Sequence, residues 1–408
     1  MSYILSWQQK STQNTRRPTV SKYTSLFSQI LKLFPRDEFN KHVHERKAER
    51  HARGVTCWQQ FTAMLFGQFA SARSLSEVTN GLKSCEGKLQ HLGIEPIPKS
   101  SLAYVNSHRP SQLYQDVFYD LLHKAQSEAG TWKKPFGLKK KLYSIDSTTI
   151  GLCLSMYDWA KFRRKKGGLK IHLRLDHDGY LPEYAVITEA KIHDYKMVDK
   201  FPIEPDTITT FDRGYNAYVY WSEMCEHGAS FVTRLKDNAV YEVIEEMEIK
   251  GKNILRDARI RLTGISAAQK CPHELRIVEY YDEEEGRAFV FVTNNLKLAA
   301  STIAQIYKER WKIELFFKAI KQNLKIKTFL GTSQTAVETQ IWTALIAILV
   351  LKYLQLKSKI GWALSNLVAL LRMNLFTYRD LWAWIDKPYG TPPEPLDSFQ
   401  CEQLELQF

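Results

Sequence analysis

The sequence predicts an α/β protein: a mixed β-sheet flanked by helices, carrying a β-rich insertion and preceded by an all-helical N-terminal domain. Three observations lead there. From Lys22 to about Gln126, apolar residues recur at helical spacing with short breaks. At Leu142 the pattern turns to β-type runs separated by turns and one or two helices. Residues 237–297 then alternate strand-like pieces with turns before helical periodicity returns at 300. The boundaries drawn on this pattern are 1–130 for a helical N-terminal domain, 131–236 with 298–335 for the core, 237–297 for the insertion and 336–408 for a C-terminal helical region.

In chain order, SLFSQILKLF (25–34) and WQQFTAMLFGQF (58–69) read as amphipathic helices. The basic KHVHERKAERHARG (41–54) joins them, suited to a solvated helix or to a DNA backbone. SLSEVTNGL (74–82) reads as a helix capped by Ser76, and SLAYVNSHRP (101–110) as a polar helix capped by Ser100 or Ser101. Short helices, a turn and a polar helix suit a helix-turn-helix reader of the major groove. TWKKPFGLKKK (131–141) reads as a basic linker. Strands are expected over LYSIDSTTI (142–150), KIHLRLD (170–176), YLPEYAVITEA (180–190), DTITTFD (206–212) and ASFVTRL (229–235). Helices are expected near 194–201 and over 216–228, the latter closed by Gly228. The insertion supplies AVYEVIEEMEI, ELRIVEYY and RAFVFVTN as strands. One continuous helix is expected over 300–327, then two more near 338–356 and 361–373 before a Pro-rich tail.

Lys and Arg number 57 against 44 Asp and Glu, a formal charge of +13, which favours polyanionic partners. The six cysteines are scattered with no close pair, which argues against zinc-finger spacing and a disulfide framework. The N-terminus lacks the apolar run of a signal peptide, and the run Ile341–Leu351 is too short to span a bilayer. The expectation is a soluble, intracellular protein whose basic excess points to a nucleic-acid partner rather than a membrane.

The chemistry concentrates in IYKERWKIELFFKAIKQNLKIK (306–327). Tyr307, Arg310, Glu314 and Lys321 lie at offsets 0, 3, 7 and 14. On a helix these fall within about 60° of one another, so one stripe carries a phenol, a guanidinium, a carboxylate and an ammonium. A carboxylate suits a divalent cation and the flanking donors suit phosphate oxygens. Trp311 falls outside the stripe and reads as packing.

Asp146 lies within the first strand and Asp212 ends a later one, directly before Arg213–Gly214. A carboxylate in a buried strand is costly unless it is paired or holds a cation. With the 300–327 helix packed over that sheet edge, Asp146, Asp212 and Glu314 would converge. Three mutually repelling carboxylates suit two Mg²⁺ ions, with Mn²⁺ as a substitute, clamping the oxygens of an in-line phosphoryl displacement. Asp176 and Asp178 bracket a turn and Asp194 follows His193 at a helix start, so turn and capping roles lead for these three. Arg163, Arg164, Lys165 and Lys166 precede Gly167–Gly168 in an expected hairpin or loop, as candidate DNA-backbone contacts. Lys170 and His172 share a strand face and are secondary candidates.

These motifs resemble those of the fourth insertion-sequence family of transposases, the DDE class with an RNase H-like core. Its signature Tyr-x2-Arg-x3-Glu-x6-Lys is matched by Tyr307, Arg310, Glu314 and Lys321, and its acidic motifs by YSIDSTTI and FDRGYNAY. The resemblance covers about 142–330. It implies that Asp146, Asp212 and Glu314 hold the metals and catalyse strand nicking and transfer, and that Tyr307, Arg310 and Lys321 grip phosphates. It further implies cut-and-paste transposition, often through a DNA hairpin, on terminal inverted repeats and target DNA, by a homodimer. In relatives an aromatic residue of the insertion stacks on a flipped base; this insertion has no Trp, and Phe289 stands at the matching place. A metal-dependent nuclease on the same fold and an inactive DNA-binding remnant are the competing readings.

Overall fold

The computed structural model describes residues 24–389 apart from 51, 53, 129–136, 153–156, 158, 160, 164–165 and 325–328. For 161–163, 166 and 167 it describes the backbone alone.

Ten strands form one mixed sheet among the described residues. At its centre β1 (Lys141–Leu152) pairs antiparallel with β3 (Lys166–Asp176) and parallel with β5 (Thr207–Phe211). β2 (Lys161–Arg163) and β4 (Leu181–Glu189) both pair with β3. On the other side β6 (Ser230–Arg234) runs parallel to β5. The β-rich insertion continues the same sheet. Its last strand, β10 (Arg287–Thr293), pairs antiparallel with β6, and β9 (Leu275–Asp282), β8 (Ile254–Leu262) and β7 (Tyr241–Glu246) extend the same sheet outward. β8, unforeseen because charges interrupt its apolar alternation, is held by Asp257, which receives two hydrogen bonds from Arg276 at 2.7 and 2.6 Å inside the sheet.

The N-terminal helices α1 (Leu26–Leu31), α2 (Arg36–Glu45), α3 (Cys57–Phe69), α4 (Leu75–Lys83), α5 (Glu86–Leu89), α6 (Lys99–His108) and α7 (Gln112–Glu128) follow the expected order. Two caps differ from expectation. Ser74, not Ser76, caps α4 by accepting from the Glu77 N–H, and α6 begins after Pro98, whose fixed φ suits a helix entry. Two residues of the basic 41–54 stretch are structural: Arg46 pairs with Asp116 at 2.6 Å and His42 with Asp120, which fastens α2 to α7.

α12 (Gln334–Lys357) is apolar around its whole circumference, which is the pattern of a helix buried on all sides. It is long and apolar enough to cross a membrane, yet 89% of its most apolar window is packed inside the fold. α13 (Leu364–Asn374) and α14 (Leu381–Asp386) follow it, the second unforeseen. One apolar core joins the N-terminal helices, α12 to α14 and one face of β1 and β3, with Phe61, Leu121, Leu173 and Leu345 among its members.

The helix expected over 300–327 is broken at Arg310 into α10 (Ala300–Glu309) and α11 (Trp311–Asn323). The Arg310 N–H bonds to the Tyr307 carbonyl, and the Ile313 N–H to that of Arg310, both at 3.1 Å, so the joint is a tightened turn. The break follows from packing. Ile303 and Ile306 of α10 belong to a core with Ile208, Val278 and Phe291, whereas Ile313, Phe316 and Phe317 of α11 belong to the large helical core.

Candidate active site

Alternation along β1 puts Ser144, Asp146 and Thr148 on one face and Ile145 and Ser147 on the other. In the parallel β1–β5 register, Ser144 lies opposite Thr210 and Ile145 opposite Phe211. Asp146 and Asp212 are the next residues on the two strands, so both acids stand at the same level of the sheet. The Arg–Gly turn after β5 holds Asp212 in place: its Oδ2 accepts from the Gly214 N–H at 3.2 Å.

Across from Asp146 stands the α10–α11 joint. Arg310 donates from Nη1 to Asp146 Oδ2 at 3.1 Å and from Nη2 to Glu314 Oε1 at 2.7 Å. Asp146 Oδ1 also accepts from the Ser147 N–H at 2.7 Å. Burial pushes the Asp146 carboxyl up to about 6, against the pull of Arg310 and of the Ser147 N–H; the charges of Glu314 and Asp212 push the same way as burial. Burial, the largest single influence on Arg310, pulls its guanidinium down, but Tyr307, Asp146 and Glu314 together hold it above its usual value, so it stays charged.

A cleft of about 410 Å³ opens between β1 and α11, lined by Asp146 and Thr148 on one side and by Glu314, Lys318, Lys321 and Gln322 on the other. Asp212 faces an adjoining depression with Arg213 and Lys236. Among the described residues no three acidic, His or Cys side chains close on one point, and Arg310 lies between Asp146 and Glu314. The donor set nevertheless fits a hard divalent cation. It is oxygen-only, its most buried carboxyl is one whose ionised form burial disfavours, and the space between two of its acids already holds a positive group.

Of the expected stripe, Glu314 and Lys321 line the cleft, while Arg310 lies over the Tyr307 ring at 5.4 Å and that ring packs on Phe291 at 4.8 Å. Burial raises the Tyr307 phenol, with Arg310 pulling it down.

Phe289 must be corrected as a base-stacking residue. It is 8% exposed within β10, stacked with Phe291, and Arg234 and Arg287 lie over its ring. Trp311 must be corrected in the opposite sense: it is 56% exposed on the first turn of α11. It is a helical neighbour of Glu314 and, with exposed Leu315, borders the cleft-lining face. Its flanks, Lys308, Lys312 and Lys318, were the signal that this side of the helix faces outward. Arg163 and Lys166 are paired across the β2–β3 hairpin, with their side chains outside the described residues, as are Arg164 and Lys165 altogether.

Behind the acids lies a polar layer built on Lys170 and His172, the secondary candidates, and on Asp194. Lys170 donates to Asp194 Oδ1 at 3.1 Å, as does Ser147 Oγ at 2.9 Å. His172 is buried between the Tyr215 hydroxyl and Thr188 Oγ1, and burial lowers it to about 4, so it remains neutral. Asp176 takes the turn role expected of it, accepting from the Asp178 N–H.

Comparison with known proteins places this geometry. The transposase DDE domain family matches residues 137–350, and a domain of unknown function (DUF4372) matches residues 22–95. A protein of Sinorhizobium fredii described as the transposase y4zB is 32% identical over 75% of this chain and 86% of its own length. A transposase for insertion sequence element IS5377 of Geobacillus stearothermophilus is 28% identical over 54% of this chain and 58% of its own length. A transposase for element IS4SA of Synechocystis is 26% identical over 60% of this chain and 69% of its own length. The chain belongs to the DDE-class transposases of insertion sequences, enzymes that cut and transfer DNA strands.

Proposed function

We propose that the cleft between β1 and α11 is where this transposase cuts and rejoins the ends of its own element, by a cut-and-paste route, with Asp146, Asp212 and Glu314 as the catalytic acids. The observation that carries the reading is the meeting of two distant segments: Asp146 and Glu314, 168 positions apart in sequence, share one guanidinium, and Asp146 and Asp212 each follow directly on Ile145–Phe211, the last registered pair of β1 and β5.

The three acids would hold divalent ions, Mg²⁺ or Mn²⁺. When bound, such ions stabilise charge on the phosphoryl oxygens and favour ionisation of an attacking hydroxyl. The chain's own residues do the remainder. Lys318 and Lys321 on the cleft wall attract the phosphates that flank the scissile bond and fix their register. Arg310, charged and bidentate, compensates Asp146 and Glu314 and can turn one face to a phosphate without an energetic penalty of neutralisation. Burial of Asp146 keeps bulk water from screening these interactions. Trp311, exposed at the rim, offers an aromatic face to an unpaired base of the DNA end.

The helical N-terminal residues 24–128 are read as the DNA-end-binding part, and the basic 163–166 hairpin as a backbone contact. Joining two element ends calls for two copies of the chain, so the active species is read as a homodimer on inverted-repeat DNA, in the bacterial cytoplasm and associated with the nucleoid.

The test is a cleavage and joining assay on DNA carrying the element's end, comparing wild type with Asp146→Asn, Asp212→Asn and Glu314→Gln. The expected result is metal-dependent nicking and joining, lost in all three variants while end binding persists. Nicking without joining would move the assignment to a nuclease. Binding with no cleavage by wild type, in Mg²⁺ or Mn²⁺, would leave an inactive DNA-binding protein.

A further inference from the structure

We propose that Asp194 is a positioning residue of the cleavage site, bracing both the strand that carries Asp146 and the turn that carries Asp212. The inference rests on the reading of those two acids given above.

Asp194 opens a 3-10 helix (Asp194–Lys200), where an acidic side chain would ordinarily cap the exposed N–H groups, yet no side chain caps this helix. The carboxylate turns to the sheet instead. Its Oδ1 accepts from Ser147 Oγ at 2.9 Å and from Lys170 Nζ at 3.1 Å, and Lys170 also donates to the Ile192 carbonyl at 3.0 Å. Lys170 thus ties the loop before Asp194 to β3 and supplies the compensating charge.

Ser147 is the link to the first acid. Its hydroxyl is held by Asp194 on one face of β1, and its backbone N–H donates to Asp146 Oδ1 on the other. Fixing the Ser147 side chain fixes the peptide plane that aims Asp146. The second link runs through Gly214. A Cβ built there would lie 3.5 Å from Asp194 Oδ2 and 3.6 Å from Asp212 Oδ2, so the two carboxylates flank one point beside the turn. The Gly214 N–H is the donor that orients Asp212. Asp194 therefore packs against both supports, spending Oδ1 on hydrogen bonds that an amide oxygen could also accept, more weakly from Lys170.

That last point separates positioning from direct metal binding. Outer groups that orient metal-holding side chains are worth about 10- to 100-fold in metal affinity or activity. Asp194→Ala is therefore expected to shift the Mn²⁺ midpoint for DNA-end cleavage about tenfold upward and to weaken Mn²⁺ binding to the DNA-free full-length chain, read by calorimetry, by a similar factor. Affinity for the DNA end should be unchanged. Asp194→Asn should restore both Mn²⁺ values to within about threefold of wild type, since its amide oxygen keeps the bonds from Ser147 and Lys170. Ser147→Ala, which removes the same bond from its other end with little loss of volume, should reproduce the Asp194→Ala shift and serves where that variant folds poorly.

Two outcomes overturn the proposal. If Asp194→Asn is as impaired as Asp194→Ala, the charge itself is required. If neither Asp194→Ala nor Ser147→Ala moves the Mn²⁺ midpoint, the brace has no part in the site. Failure of the underlying reading looks different: Asp146→Asn would then bind Mn²⁺ and cleave like wild type.

Discussion

Replacing Asp146 with Asn should raise the thermal stability of the metal-free protein while abolishing cleavage. Burial lifts the carboxyl from 3.8 to about 6, so holding it ionised above that pH costs about 3 kcal/mol at roughly 1.4 kcal/mol per pKa unit. Asn removes the charge but must still be buried, and it weakens the bond from Arg310. Arg310 is not orphaned, because its 2.7 Å bond to Glu314 remains. The net gain is therefore about 1–2 kcal/mol, or a few degrees at most in Tm for a chain of this length. The sign follows from the direction of the shift. A carboxyl raised in the folded state penalises folding above its folded value near 6, and the penalty is gone below the ordinary value near 3.8. The Asn variant should thus melt higher than wild type at pH 7.5 in EDTA, with the difference shrinking through pH 6 and absent near pH 4. Scanning calorimetry at the three pH values measures it. A lower Tm for the variant at pH 7.5, or a gain independent of pH, would refute the argument that burial dominates at this residue.

Trp311→Ala should leave Tm within about 1 °C, as befits an exposed side chain. It should weaken binding to a DNA end with unpaired terminal bases by the equivalent of about 1–3 kcal/mol, with little effect on a fully paired duplex, as read by fluorescence anisotropy. Lys321→Ala should lower affinity for every DNA sequence alike and reduce the slope of log affinity against log salt by about 1. Asp257→Ala should cost about 3–5 kcal/mol in urea unfolding, because it leaves the buried Arg276 guanidinium without its bidentate partner.

Most of the fold was legible because its signals are local. β-Type runs marked the strands that became β1, β5 and β6, apolar–polar alternation marked β3, and uniform apolarity marked α12. The acids were legible for a related reason: Asp146 stands out as a charge in an apolar run, and Asp212 as a charge at the end of one. What escaped depends on which surface each residue meets. Helical spacing assigns an angle to Tyr307 and Trp311 but not an environment, and the break at Arg310 exchanged those environments by handing the chain from one core to another. Phe289 and Phe291 alternate as strand core does; Arg287, two residues before Phe289 on the same strand, covers its ring, and only the β6–β10 pairing shows that Arg234 does so too. Asp194 has a helix-start sequence and uses its carboxylate elsewhere, a choice set by Lys170, 24 positions upstream.

The continuous sheet has a mechanical consequence. Its central seam is narrow: β5 and β6 share three registered pairs, as do β6 and β10, whereas β1 and β3 share ten. Stiffness in a sheet resides in its ladders, so a torque applied at the insertion's outer edge would be passed inward with little loss until it met β6, the most compliant strand on the route. Any strain placed on the insertion would therefore have to cross the three pairs joining β6 to β5 before it reached the Asp212 turn, and that seam is the part of the sheet that would yield first.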